Sequence, residues 1–241
     1  MYTKGKATLL SIWLAATAAS AGAQTGARQV TGAQTSVLSQ VVWRDSLRQL
    51  NQEIALSPRS TDLRLRKAAV NIELEQWDYA IEEYGRVLDI DPDNPAACYF
   101  RAYAHNHENH LDMARRDYER FLMLTPRHFE GRLGLAMVLR KMGRRQDTTD
   151  QLNILVEQHP DSALAFAVRA DYEAELRQTE MALFDWDRAI TLQPTNAEFV
   201  AAKAELLLRE KRNTEAWACI DEALRRGIPR LALKPWIDRC R

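Results

Sequence analysis

The chain has 241 residues, 46% of them hydrophobic, with 33 Lys and Arg against 33 Asp and Glu. That apolar content excludes wholesale disorder, and a formal charge of zero leaves no single-sign field of the kind that draws nucleic acid or an anionic membrane surface. Nine Gly and eight Pro are too few for a turn-dense β architecture.

In chain order, Lys4 and Lys6 form a basic start, residues 7–21 are apolar or small, and Ala21-Gly22-Ala23 makes an A-x-A site before Gln24. The pattern predicts an export signal over residues 1–23, cleaved to leave no membrane span, and no Cys follows it to take a lipid anchor. Losing Lys4 and Lys6 leaves 31 basic against 33 acidic residues, a formal charge of −2. The expected location is exported, periplasmic or secreted. Cys98, Cys219 and Cys240 are too few, and odd in number, for a disulfide scaffold. Residues 24–35, rich in Gly, Ala, Gln and Thr, read as a flexible linker, and 36–60 as an N-terminal capping helix.

From there a period of 34 residues takes over. Pro58, Pro92, Pro126, Pro160 and Pro194 keep it, and so do Ala68, Ala102, Ala136, Ala170 and Ala204. A second register holds Ala80, Ala114, Thr148, Ala182 and Ala216, and four residues on stand Tyr84, Tyr118, Leu152, Trp186 and Ile220. Within a unit the apolar spacing predicts helix, turn, helix: Leu63, Ala68 and Ile72, then Ala80, Ile81, Tyr84, Val87 and Leu88. Proline disfavours helix in the residue before it, and Asp and Asn at these junctions can accept the free N–H groups of the next helix. The alanines let paired helices approach closely where they cross.

Period, alanines at both crossings, the A-x-x-x-aromatic element and the closing proline together resemble the tetratricopeptide repeat. The resemblance covers five units, 61–94, 95–128, 129–162, 163–196 and 197–230, with 231–241 as a C-terminal capping helix. It departs at the family's first-helix aromatic, here Arg64, Cys98, Arg132, Phe166 and Val200. The implied fold is all-α, a right-handed superhelical solenoid of helix-turn-helix repeats.

Charges recur as well. Lys67, Arg101 and Arg169, at the seventh position of their units, stand 16 residues before Glu83, Asp117 and Asp185, which predicts an ion pair within each of those repeats. The third unit has Leu135 and Gln151 instead, and the fifth has Lys203 opposite Cys219.

No phosphate loop, nucleophile elbow or H-E-x-x-H occurs, so no catalytic residue, cofactor or metal is expected. His105, His107 and His110 lie close in sequence, and a metal site on them stays open as an alternative. The resemblance implies that first helices line a concave groove that binds a protein or peptide partner. Carried over by position, the groove holds Leu65, Tyr99, Tyr103, Asn106 and His107, then Leu133, Met137, Asp171, Glu175 and Glu205. Tyrosine offers rigid amphipathic contact, Met adapts, and the acids would favour a basic segment. The family's clamp for a C-terminal carboxylate is missing: its positions hold Leu65, Ala69, Phe100, Glu130 and Gly134. Binding through the convex face or the caps is the other open reading, and oligomeric state is left undetermined.

Overall fold

A computed structural model describes the backbone of residues 32–240 and the side chains of 40–240, so the expected signal segment and most of the linker lie outside it. Among the described residues there are twelve helices and no strand. The first, α1 (Gly32–Leu56), begins four residues before the expected boundary at 36, so 32–35 are helical and not linker. The described residues divide into two units after Val42. In the first, the described side chains Val41 and Val42 are exposed.

The second unit is a stack of helix pairs: α2 (Thr61–Glu73) with α3 (Trp77–Ile90), α4 (Pro95–His107) with α5 (Leu111–Leu124), α6 (Phe129–Lys141) with α7 (Arg145–Gln158), α8 (Ala163–Glu175) with α9 (Thr179–Leu192), and α10 (Ala197–Arg209) with α11 (Asn213–Arg225). The last helix, α12 (Arg230–Arg239), stands alone against α10 and α11.

Both small-residue columns of the sequence are sealed. Ala68, Ala102, Ala136, Ala170 and Ala204, and the column from Ala80 to Ala216, all have zero exposure. Thr148, which interrupts the second column, is equally buried because its hydroxyl donates to the Arg144 carbonyl one turn back, at 2.9 Å. Tyr84, Tyr118, Leu152, Trp186 and Ile220 fill the space beside them.

Helix starts are capped where the sequence places polar residues. Ser60, Asn94, Ser162 and Asn196 accept from the backbone of the first turn, and in the third repeat His128 does so through Nδ1 at 3.2 Å. First helices end in a six-residue closure: the N–H groups of Gln76, His110, Arg144, Gln178 and Arg212 reach the carbonyls of Asn71, His105, Leu139, Glu173 and Leu207. The closure needs a left-handed residue, which is Gly143 in one repeat but Glu75, Asn109, Arg177 and Lys211 in the others. The last described helix, α12, packs by one face. Leu233 and Ile237 are buried, while Lys234 and Asp238 are exposed.

Candidate functional site

The face built by first helices carries the residues singled out from sequence. Leu65, Tyr99, Tyr103, Asn106, Leu133 and Met137 are half-buried on it, and His107, Asp171, Glu175 and Glu205 are exposed. They fall into two chemically different stretches.

Repeats one and two bring rings together. Trp77, the first residue of α3, lies flat on His107, with centroids 4.1 Å apart and planes 7° apart. Tyr103 meets both edge-on, at 5.9 and 4.7 Å. Tyr99 goes deeper, among Phe100, Tyr118, Phe121 and His128. Burial, helped by Glu130 and Tyr103, pushes its hydroxyl pKa up to about 12, and its four ring partners all belong to repeat two, so Tyr99 is largely engaged in packing its own repeat. The cluster closes tightly because α6 offers Gly131 and Gly134 to the rings: a Cβ on Gly134 would sit 2.6 Å from Tyr118.

Repeats three to five use polar side chains to join neighbours. Lys141 donates to Asn106 Oδ1 at 2.7 Å. Arg140 reaches Asp171 at 3.2 Å and also pairs with Glu175. Arg209 donates to the Ala174 carbonyl at 3.2 Å. Glu205 accepts from Trp236 Nε1 at 3.0 Å and from Arg239 at 3.1 Å, and the Arg239 guanidinium holds its carboxyl below the usual range. The acids that sequence reasoning offered to a basic ligand therefore already face arginines of the adjoining repeat or cap.

Beneath this face runs a polar seam that the sequence disclosed only in part. Lys67 and Glu83 pair at 2.9 Å, and Arg101 and Arg169 bind Asp117 and Asp185 through two hydrogen bonds each, as the spacing predicts. Lys203, with Cys219 across from it, turns instead to Asp187 of the preceding repeat at 2.5 Å. A half-open cleft of about 210 Å³ lies there, lined by Asp187, Lys203, Cys219 and Arg226 among others. Four residues beyond the seventh position the units carry Asn71, His105, Leu139, Glu173 and Leu207, all buried. The three polar ones each bury an atom without a hydrogen-bond partner: Asn71 Nδ2, His105 Nδ1 and Glu173 Oε2. Arg64 and Arg132, at the family's aromatic position, donate to the Pro58 and Pro126 carbonyls, which spacing alone did not signal.

Of the three clustered histidines, His105 and His110 keep their rings in contact, and His107 turns away from them. His105 is buried with its ring 5.6 Å from that of His110, and His107 stacks on Trp77. Among the described residues no three His, Cys, Asp or Glu side chains converge in a way that could hold a metal ion. The three cysteines are free thiols, Cys98 buried and Cys219 and Cys240 partly so, and burial pushes each thiol pKa up. No described helix is long and apolar enough to cross a membrane.

The architecture has the fold of a tetratricopeptide-repeat solenoid. A tetratricopeptide-repeat family model matches residues 130–162, the α6–α7 pair. The solved structure of MamA 41-end from Desulfovibrio magneticus RS-1 superposes with a TM-score of 0.61 at 16% identity, covering 68% of this chain and 93% of that one. YrrB, described as a TPR protein with an unusual peptide-binding site, superposes with a TM-score of 0.58 at 15% identity, covering 76% and 95%. In sequence the chain is 21% identical over 187 residues to the DnaJ homolog subfamily C member 7 homolog of Dictyostelium discoideum, across 71% of this chain and 35% of that protein. It thus spans about a third of that relative's length.

Proposed function

We propose that this protein is a non-enzymatic interaction scaffold of the bacterial envelope that holds a peptide segment or helix in the groove of its first helices. The observation that carries this is the ring group of Trp77, Tyr103 and His107, continued by half-buried Leu133 and Met137 on the next repeat. Rigid rings and a pliable thioether side by side suit an apolar anchor residue, and the rigid stack limits the ordering cost of binding. Arg140 and Arg239 already neutralise Asp171, Glu175 and Glu205, so an apolar or aromatic segment fits this face better than the basic one the sequence suggests. A carboxylate-tail ligand fits worst, because the Tyr118 ring leaves no room for a basic side chain at Gly134. Export rests on the leader-like residues 1–23.

A second reading has its own support. Tyr79, Met181 and Phe184, on second helices, are 62%, 56% and 64% exposed, which suits assembly through the opposite face. Photocrosslinking in the native envelope separates the two. A probe at Met137 should give a discrete adduct that Tyr103→Ala abolishes, while a probe at Phe184 stays silent. An adduct from Phe184 alone moves the interface to the second helices, and silence at both positions removes the groove reading.

A further inference from the structure

Repeat four alone puts an acid at the buried position where its neighbours have Asn71, His105, Leu139 and Leu207. Glu173 is 6% exposed, and its Oε2 has no hydrogen-bond partner. Its Oε1 lies 3.9 Å from Arg169 Nε, too far for a hydrogen bond. Arg169 is already committed: Nε and Nη2 bind the two oxygens of Asp185 at 2.6 and 2.9 Å, and Nη1 donates to Asn153 at 3.1 Å. Asp185 is itself 1% exposed. Two buried carboxylates therefore share one guanidinium whose fork faces only one of them.

The surroundings offer Glu173 nothing further. From α7 comes neutral Asn153, held by Arg169, and the Arg145 carbonyl, which accepts from Tyr172. On α9, Arg188 lies over the Phe166 ring, leaving Asp185 as the charged side chain that acts on Glu173. The α10 cation nearby, Arg209, is on the Ala174 carbonyl. With Glu173 neutral the cluster is charge-balanced; with Glu173 ionised it holds one uncompensated buried negative charge.

We propose that Glu173 is a proton-operated lock on repeat four: neutral, it lets α8 seat against α9; ionised, it must draw in water and loosens the pair. Burial, reinforced by Asp185 and opposed by Arg169, pushes its pKa up to about 7, against an ordinary value of 4.5. A raised folded-state pKa means that the native state keeps a proton which the unfolded chain has lost, so stability is full below about 4.5 and falls as pH rises towards 7. Two residues to either side of Glu173, Asp171 and Glu175 receive Arg140, so a looser α8 also slackens the join between repeats three and four. The lock stands whether or not the first-helix face holds a ligand.

Amide hydrogen exchange of the full chain, followed by mass spectrometry from pH 5.5 to 8 and corrected for intrinsic exchange, tests it. Peptides of α8 and α9 should lose protection by roughly ten- to thirtyfold across that range while those of α4 and α5 hold. Glu173→Gln should remove the loss, and Glu157→Gln, an exposed change on α7, should leave it intact. Protection independent of pH, the same loss in Glu173→Gln, or an equal loss in α4 and α5 overturns the proposal. Should Glu173→Gln fail to fold, carbon-13 NMR of the wild-type carboxyls decides: titration of Glu173 in the ordinary carboxylate range overturns it equally.

Discussion

Arg132 is a buried cation with no carboxylate beside it. It is 8% exposed and donates to Gln158 Oε1 at 3.2 Å, to Gln151 Oε1 at 2.8 Å and to the Pro126 carbonyl at 2.5 Å, all neutral oxygens. Burial accordingly lowers its pKa. Two repeats earlier, Arg64 makes the same proline contact but reaches Glu83 at 2.9 Å where Arg132 reaches Gln151. Gln151→Glu should therefore convert a neutral hydrogen bond into a charge-assisted one with almost no change in shape. Such a bond is worth about 1.5–3 kcal/mol against about 1 for the neutral form, and desolvating a half-buried carboxylate takes part of the difference back. A net gain of about 0.5–1.5 kcal/mol, or about 1–6 °C in Tm for a unit of this size, is expected at pH 7. Thermal and urea unfolding measure it. The new carboxyl should have a lowered folded-state pKa, so its contribution is present above the ordinary carboxylate range and lost as pH falls through that lowered value. Unchanged or reduced stability at pH 7 would refute the reasoning, as would a gain that survives in an Arg132→Met background, because the two positions should be coupled in the double-mutant cycle.

Gly134→Ala should lower stability by about 1–3 kcal/mol, because the new Cβ meets the buried Tyr118 ring and overpacking outweighs the roughly 0.5–1 kcal/mol of helix propensity gained. Gly85→Ala is the control, with its nearest atom 3.8 Å away, and a stability equal to or above wild type is expected there by urea titration. Glu205→Ala removes the acceptor of Trp236 and Arg239, so α12 should fray and be trimmed faster in limited proteolysis, at a cost to global stability of at most about 1 kcal/mol. Unchanged trimming would mean that Leu233 and Ile237 alone hold the cap.

Period and packing were legible in the sequence because one geometric demand recurs: where two helices cross, only a small residue fits, and every position so marked is sealed. The ion pairs within repeats were legible for the same reason, since a spacing of 16 links the seventh position of a first helix to the facing turn of the second. The candidate face was less so. Reading Asp171, Glu175 and Glu205 as open to a ligand treats each repeat singly, but one repeat along the stack brings residues 31 to 35 further on, or back, alongside. Lys141 reaches Asn106, Arg209 reaches Ala174, Arg140 reaches Asp171 and Arg239 reaches Glu205 at those separations. Opposite charges at that interval were in the sequence and would have identified the last two of these joins, Arg140 with Asp171 and Arg239 with Glu205. Side-chain type alone marks neither His128 as a cap nor Arg177 and Lys211 as left-handed residues; the 34-residue register does, placing His128 with the caps Ser60, Asn94, Ser162 and Asn196, and Arg177 and Lys211 with Asn109 and Gly143.

Neighbour contacts of this kind also keep units of one length from being interchangeable. From repeat two onward the seventh position stands 16 residues after a position on the second helix of the repeat before it, and the residue there differs each time. Arg101 faces Gly85, which has no side chain to compete, and gives Asp117 both of its hydrogen bonds. Leu135 offers no charge to Glu119, which turns to Arg115 on its own helix. Arg169 meets Asn153 and divides its donors between that amide and Asp185. Lys203, lacking an acid in its own repeat, meets Asp187. Moving any one of these units next to a different neighbour would leave a buried or half-buried charge facing the wrong group, and breaking such a pair costs far more than forming it gains. The polar seam thus adds modestly to stability while specifying the order in which near-identical helix pairs stack, a task that the uniform alanine columns cannot perform.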